Sequence, residues 1–176
     1  MISSTPGERL ADDRDRMERQ PFLATHRALA VCTRELGRLC DEVVQGAQAL
    51  HGTSAGELLE VRQSPGRCIV QFGPVALTVA WLRSTLDTVA DGELLAIVWR
   101  GTVAPRRVPL PERSPASQAP RAATALWEEV LTAVATDEES WRWQSGNAIA
   151  ESRSSTELAA QFVARLGAAH AECQPM

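Results

Sequence analysis

Lysine and tyrosine are both absent from these 176 residues, so all 18 basic side chains are arginine. The first absence excludes a phosphate-loop lysine and a Schiff-base lysine, and the second excludes a tyrosine acid or nucleophile. Beside abundant alanine, arginine-only usage reads as the mark of a GC-rich genome rather than of a selected binding chemistry. Long apolar runs are missing too. The longest, Val75–Leu82 and Leu94–Trp99, have the length of strands, far short of the roughly 18 residues that cross a bilayer. Residues Met1 to Arg9 show neither the charged start nor the apolar stretch of a secretory signal, so a cytoplasmic setting without membrane contact is expected.

Cysteine is scarce and its spacing is uninformative for metals. There are four, with no C-x-x-C pair, and the three histidines form no H-x-x-x-H. Cys32 and Cys40 sit on a helical pattern about 12 Å apart along its axis, too far for a disulfide, and read as buried thiols. Neither a metal nor another cofactor is expected. A net charge of -4 and a pI near 5.4 argue against a general polyanion binder.

What is present is an ordinary globular balance, 44% hydrophobic and 23% charged, sufficient for the core of one domain. Residues 1–20 form a charged arm with almost no apolar stripe. A single α+β domain is expected over 21–170, with a tail at 171–176. Pro21 opens a helical stretch in which Leu29, Cys32, Leu36, Leu39, Val43, Ala47 and Leu50 recur at three- and four-residue steps, and Gly52 serves as its stop. The period then changes to two. Leu58–Gln63, Arg67–Phe72, Val75–Arg83 and Glu93–Val103 read as strands separated by Ser64-Pro65-Gly66, Gly73-Pro74 and Asp91-Gly92. Such short connections permit antiparallel hairpins and exclude parallel crossovers.

Five prolines break up residues 104–120, a loop that also carries Arg106, Arg107 and Arg113. Leu126, Val130 and Val134 then predict a second helix over Ala122–Ala135, Trp141–Gln144 a short fifth strand, and the Ser154 to Glu157 capping box a C-terminal helix with Leu158, Phe162, Val163 and Leu166 on one side. The expected fold is α+β: a long helix, a four-stranded antiparallel meander, a helix, a fifth strand and a last helix, with helices on one face of the sheet.

Signals of chemistry are few. Gly52-Thr53-Ser54-Ala55-Gly56 matches the G-x-S-x-G elbow, and Asp137 and His170 follow in hydrolase order. That elbow needs a strand before the serine and a helix after it, whereas here a helix precedes and a strand follows, so a catalytic role for Ser54 is weighed down by its context. His26 falls near the helix stripe, and His51 and His170 sit where an imidazole meets a helix C-terminal dipole. Glu128, Glu129, Asp137, Glu138 and Glu139 read as a solvated helix face.

The five tryptophans are more informative. Trp81 and Trp99 occupy neighbouring strands, Trp127 the second helix, and Trp141 and Trp143 flank Arg142 on one strand face. They either fill the seam between sheet and helices or line a groove in which Arg100 or Arg142 supplies charge or stacking. The prolines of the 104–120 loop never stand three apart, so no P-x-x-P motif is present. The leading expectation is a non-catalytic interaction module that binds a protein partner or a second copy of itself. The alternative is a binder of a small apolar ligand, with a pocket between sheet and helices walled by Trp81 or Trp99. A serine hydrolase and a nucleic-acid contact through the arginine loop rank below these.

Overall fold

The computed structural model describes residues 20–53, 56–82, 88–103, 122–146 and 152–173. After a short 3-10 turn at Pro21–Ala24 come helix α1 (His26–Thr53), then strands β1 (Leu59–Ser64), β2 (Arg67–Phe72), β3 (Val75–Leu82), β4 (Glu93–Arg100), β5 (Thr124–Val134), β6 (Arg142–Ser145) and β7 (Ser152–Arg153), and finally helix α2 (Ser155–Cys173). The fold is α+β, and its seven strands lie in the sheet in the order in which they occur in the chain. Each pairs antiparallel with the next.

Turn chemistry sets the register. Pro65-Gly66 closes the first hairpin with Gly66 at φ +70, a conformation glycine adopts without a Cβ penalty, and pairs Ser64 with Arg67. Gly73-Pro74 closes the second, pairing Phe72 with Val75. Because side chains alternate, the register lines up rows of neighbours on each face. One row runs Val61, Val70, Leu77, Val98, Trp127, and its opposite-face neighbour runs Arg62, Ile69, Thr78, Ile97, Glu128.

Both helices cover the first of these faces. Asp41 of α1 accepts a 2.9 Å hydrogen bond from Gln63, His170 of α2 lies against Phe72, and Phe162 lies against Trp127. The helices run parallel: Glu35 meets Ser155 and Arg38 meets Thr156 at one end, and Leu50 meets Gly167 at the other. Between them, a Cβ on Gly46 would fall 2.7 Å from a methyl of Val163, so the glycine sets how closely the helices approach. The core is the layer so enclosed, with Val70, Phe72, Leu77, Leu94, Leu131, Trp143, Leu39, Val43, Leu158, Phe162 and Leu166 all essentially buried.

The capping box is formed. Glu157 N–H donates to the Ser154 hydroxyl at 3.2 Å, and the Glu157 carboxylate accepts from Ser154 N–H at 2.7 Å and from the Ser154 hydroxyl. These hydrogen bonds, the backbone one first, hold the Glu157 carboxyl below the ordinary carboxylate range.

The sequence-derived plan needs three corrections. The helix expected over Ala122–Ala135 is the eleven-residue strand β5. Leu126, Val130 and Val134 stand four apart, an interval that is one helical turn but also an even number of strand residues, so it fits both periods. Consequently Glu128 and Glu129 are on opposite faces rather than on one solvated side: Glu128 is exposed, while Glu129 turns inward to pair with Arg153. Second, β7 extends the meander, giving seven strands and two α-helices among the described residues where four plus one strands and three helices were expected. Third, α1 continues through Gly52 to Thr53 and α2 runs to Cys173, into the expected tail. Residues 1–19 of the expected arm and the whole of the 104–120 loop lie outside the described residues.

Candidate functional site: the uncovered face of the sheet

The face turned away from the helices, which no helix among the described residues covers, is also apolar. Ile69, Ala76, Ala80, Leu95, Ile97 and Trp99 lie on it, and a groove of about 540 Å³ opens between the Pro65-Gly66 hairpin and β4. Leu82, Leu95, Ile97 and Trp99 give it apolar walls, Val103 closes one side, and Arg67 supplies its ionic side chain. Leu82 is 46% exposed, whereas Ile97 in the middle is only 9% exposed.

Two polar side chains organise this face. The Trp99 indole N–H donates to the Thr78 hydroxyl at 3.1 Å, which ties the ring to the neighbouring strand β3 and satisfies a donor that is partly out of water. Gln71 is 5% exposed and fully used: its amide nitrogen lies 2.9 Å from the carbonyls of Gly73 and Val75 and 3.2 Å from that of Gly101, while its oxygen accepts from Val103 N–H at 3.2 Å. It thereby straps residues 101–103 across the end of the uncovered face, helped by Gly101 at φ +108 and its 2.8 Å bond to the Pro74 carbonyl. Sequence reading missed Gln71. Its only trace is a lone amide flanked by Val70 and Phe72, and its partners lie up to 32 positions away.

The tryptophans divide between the two faces. Trp81, Trp143 and Trp141 form an edge-to-face chain with centroids 5.9 and 5.7 Å apart. Trp143 is fully buried on the covered face, and its N–H donates at 3.0 Å to Ser155, whose hydroxyl in turn donates to Glu35. Trp141 is 7% exposed. Trp81 reaches from this chain to the margin of the groove, and its ring fills the space where a Cβ on Gly92 would stand. Trp127 is held between Phe162 and the Arg165 guanidinium, 5.5 Å above its ring. Trp99 alone among the five belongs wholly to the uncovered face.

The arginines divide likewise. Arg142 bonds the Ser152 carbonyl and hydroxyl and pairs with Glu157 at 3.3 Å, so it ties β6 to the start of α2. Arg100 is exposed at the end of β4. Arg106, Arg107 and Arg113 lie outside the described residues. The groove therefore brings together Trp81 and Trp99 of the expected binding residues and leaves Arg100, Trp141, Arg142 and Trp143 elsewhere. The expected pocket between sheet and helices is displaced by Trp143, Phe72 and Phe162, which fill that seam.

The hydrolase order is not assembled by Asp137 and His170. Asp137 accepts from the backbone N–H of Ser140 and Glu139 and caps its own turn, which keeps its carboxyl below the ordinary range. Its neighbour Glu138 pairs with Arg27 at the start of α1. His170 instead contacts Glu57 at 3.4 Å, and the Glu57 carbonyl contacts His51 at the far end of α1. About 36 Å of helix separates these two ends at about 1.5 Å rise per residue. Ser54 lies outside the described residues. His170 lies in the last turn of α2, as expected, and is buried against Phe72, while His26 is exposed.

Other reactive groups are inert or dispersed. None of the four cysteines is in a disulfide. A hydrogen bond with Cys40, followed by burial, pushes the Cys68 thiol up, so it stays neutral. Among the described residues no group of three His, Cys, Asp or Glu side chains is placed to hold a metal, and no helix is long and apolar enough to cross a membrane. Comparison with known proteins yields no match to a family model, a curated protein or a solved structure.

Proposed function

We propose that this chain is a non-catalytic interaction module that holds an apolar segment of a partner protein, carrying a carboxylate, on the uncovered face of its sheet. The observation that supports this reading is the groove itself: apolar walls from Leu82, Leu95, Ile97 and Trp99, with Arg67 among the residues that line it. Apolar side chains of a partner gain by leaving water there, and a partner acid beside them meets Arg67 in a charge-assisted contact. A cytoplasmic setting goes with this reading, supported by four cysteines of which none is in a disulfide.

The test is a benzophenone photocrosslinker placed at Leu95 in the full-length chain and irradiated in its own host, with the adduct sequenced by mass spectrometry. The expected product is a peptide bearing Asp or Glu next to apolar residues, reduced at least about tenfold by Arg67→Glu. No adduct above that from the same probe at exposed Ala30 on α1, or one indifferent to Arg67→Glu, overturns the reading.

A small apolar anion is the second reading, favoured by the groove volume, which falls in the roughly 300–1,000 Å³ range of ligand pockets. An adduct of small-molecule mass would select it, together with a change in Trp99 fluorescence that Arg67→Glu removes.

A further inference from the structure

The two edges of the sheet are built differently. At one end β7 is two residues long, and its Ser152 carbonyl is engaged by the Arg142 guanidinium. Shortness and an occupied carbonyl are both devices that keep an edge from pairing. At the other end β1 is a regular six-residue strand with no proline and no bulge, and among the described residues its only strand neighbour is β2.

The ladder fixes which backbone groups of β1 point outward. Gly73 N–H donates to the Leu58 carbonyl at 3.0 Å, so Leu58 and, by alternation, Glu60, Arg62 and Ser64 spend their backbone groups on β2. Leu59, Val61 and Gln63 therefore present N–H and C=O groups at the free edge. Around Val61 the side chains are self-complementary: Glu60 and Arg62 flank it on the uncovered face with opposite charge, close enough in one chain to pair at 3.1 Å.

We propose that β1 pairs antiparallel with β1 of a second copy about a two-fold axis at Val61, joining two seven-stranded sheets edge to edge. The proposal rests on the interaction-module reading only in taking binding to be the chain's role, and it uses the edge rather than the groove. In this register Val61 faces the Val61 of the second copy, and Leu59 faces its Gln63. All three outward-pointing residues meet outward-pointing partners. Glu60 falls opposite Arg62 twice, at the non-hydrogen-bonded positions where side chains come closest. Neighbouring two-fold registers are disfavoured by the same charges: centring on Glu60 sets two carboxylates face to face, and centring on Arg62 sets two guanidinium groups face to face. Half-buried Val61 and Leu59 lie on the helix-covered side, so pairing continues the core from one copy into the next.

Sedimentation velocity on the full chain from about 1 to about 100 µM tests this. The expected wild-type species has twice the 19.1 kDa mass of one chain at the upper concentrations. Glu60→Arg and Arg62→Glu each raise the dissociation constant at least about tenfold, because each contact is reversed twice. The combined exchange restores it. Val61→Pro separates pairing from folding: the Val61 N–H is not used in the β1–β2 ladder, so circular dichroism stays unchanged while the dimer is lost. A wild type that stays monomeric, single reversals that dimerise normally, an exchange that fails to rescue, or a dimeric Val61→Pro variant overturns the proposal. The Leu95 crosslink keeps the two readings apart: a wild type that stays monomeric yet forms it sinks the edge pairing alone, and a dimeric wild type that fails to form it sinks the groove alone.

Discussion

Along β3 and β4 the two faces of one sheet have the same apolar raw material and different fates. Leu77 and Val98 vanish beneath the helices, while their strand neighbours Thr78 and Ile97 face the groove side beside Trp99. The difference lies in what covers each face rather than in the hydrophobicity of the strands. Where α1 and α2 cover the sheet, large rings interlock and polar atoms find fixed partners, as Trp143 does with Ser155. On the other face a ring of the same type, Trp99, is held by one hydroxyl and keeps part of its surface in water.

Exchanging these rings is the strongest way to break the comparison. Trp143→Ala empties a fully enclosed site and should cost about 3–5 kcal/mol in chemical denaturation, whereas Trp99→Ala should cost no more than about 2 kcal/mol. Equal losses would mean that both faces are core. The closeness of the covering layer comes next. Gly46→Ala should lose about 1–2 kcal/mol, since the stiff Val163 side chain must yield to the added methyl, while Gly37→Ala, with nothing within 4 Å, should gain about 0.5–1 kcal/mol from helix propensity. If both gain, the helices are not in tight contact at Gly46.

The smallest expected effect concerns the start of α2. Ser154→Ala should cost about 1 kcal/mol at neutral pH by removing the cap above Trp143. Glu157 has a lowered carboxyl pKa in the folded chain, so its contribution is present above the ordinary carboxylate range and is lost as pH falls through the folded value. Thermal melts of wild type and Glu157→Gln should therefore differ at neutral pH and converge in acid. A constant difference would show that the carboxylate is not what the cap uses.

Much of this was legible in the chain and some was not, for identifiable reasons. Strands β1 to β4 stand out because Pro65-Gly66 and Gly73-Pro74 punctuate period-two runs, and β2 matches its expected limits, Arg67–Phe72. The last helix announces itself through Ser154 and Glu157. β5 was hidden by a spacing of four that serves both periods. The site was only half readable. Trp81 and Trp99 were identifiable as aromatic residues on strands, but Val75, Leu77 and Val79 look no more core-like than Leu95, Ile97 and Trp99, so periodicity alone does not say which face the helices cover. Arg142 resembled a ligand contact because its real partners, Ser152 and Glu157, lie ten and fifteen positions away.

The parallel helix pair also governs the order of folding. Its contacts between Arg38 and Thr156 and between Glu35 and Ser155 join residues 118 and 120 positions apart, with the entire meander in between. Each hairpin closes locally and quickly, but the helical cover needs helices from either side of the meander and carries the high contact order that slows folding. During synthesis α1 emerges first and α2 last, so for most of that time the apolar row from Val61 to Trp127 lacks half of its roof. Completion of α2 is thus the step that closes this face in the nascent chain, and slow translation or truncation before residue 155 leaves the side of the sheet normally sealed as the sticky one.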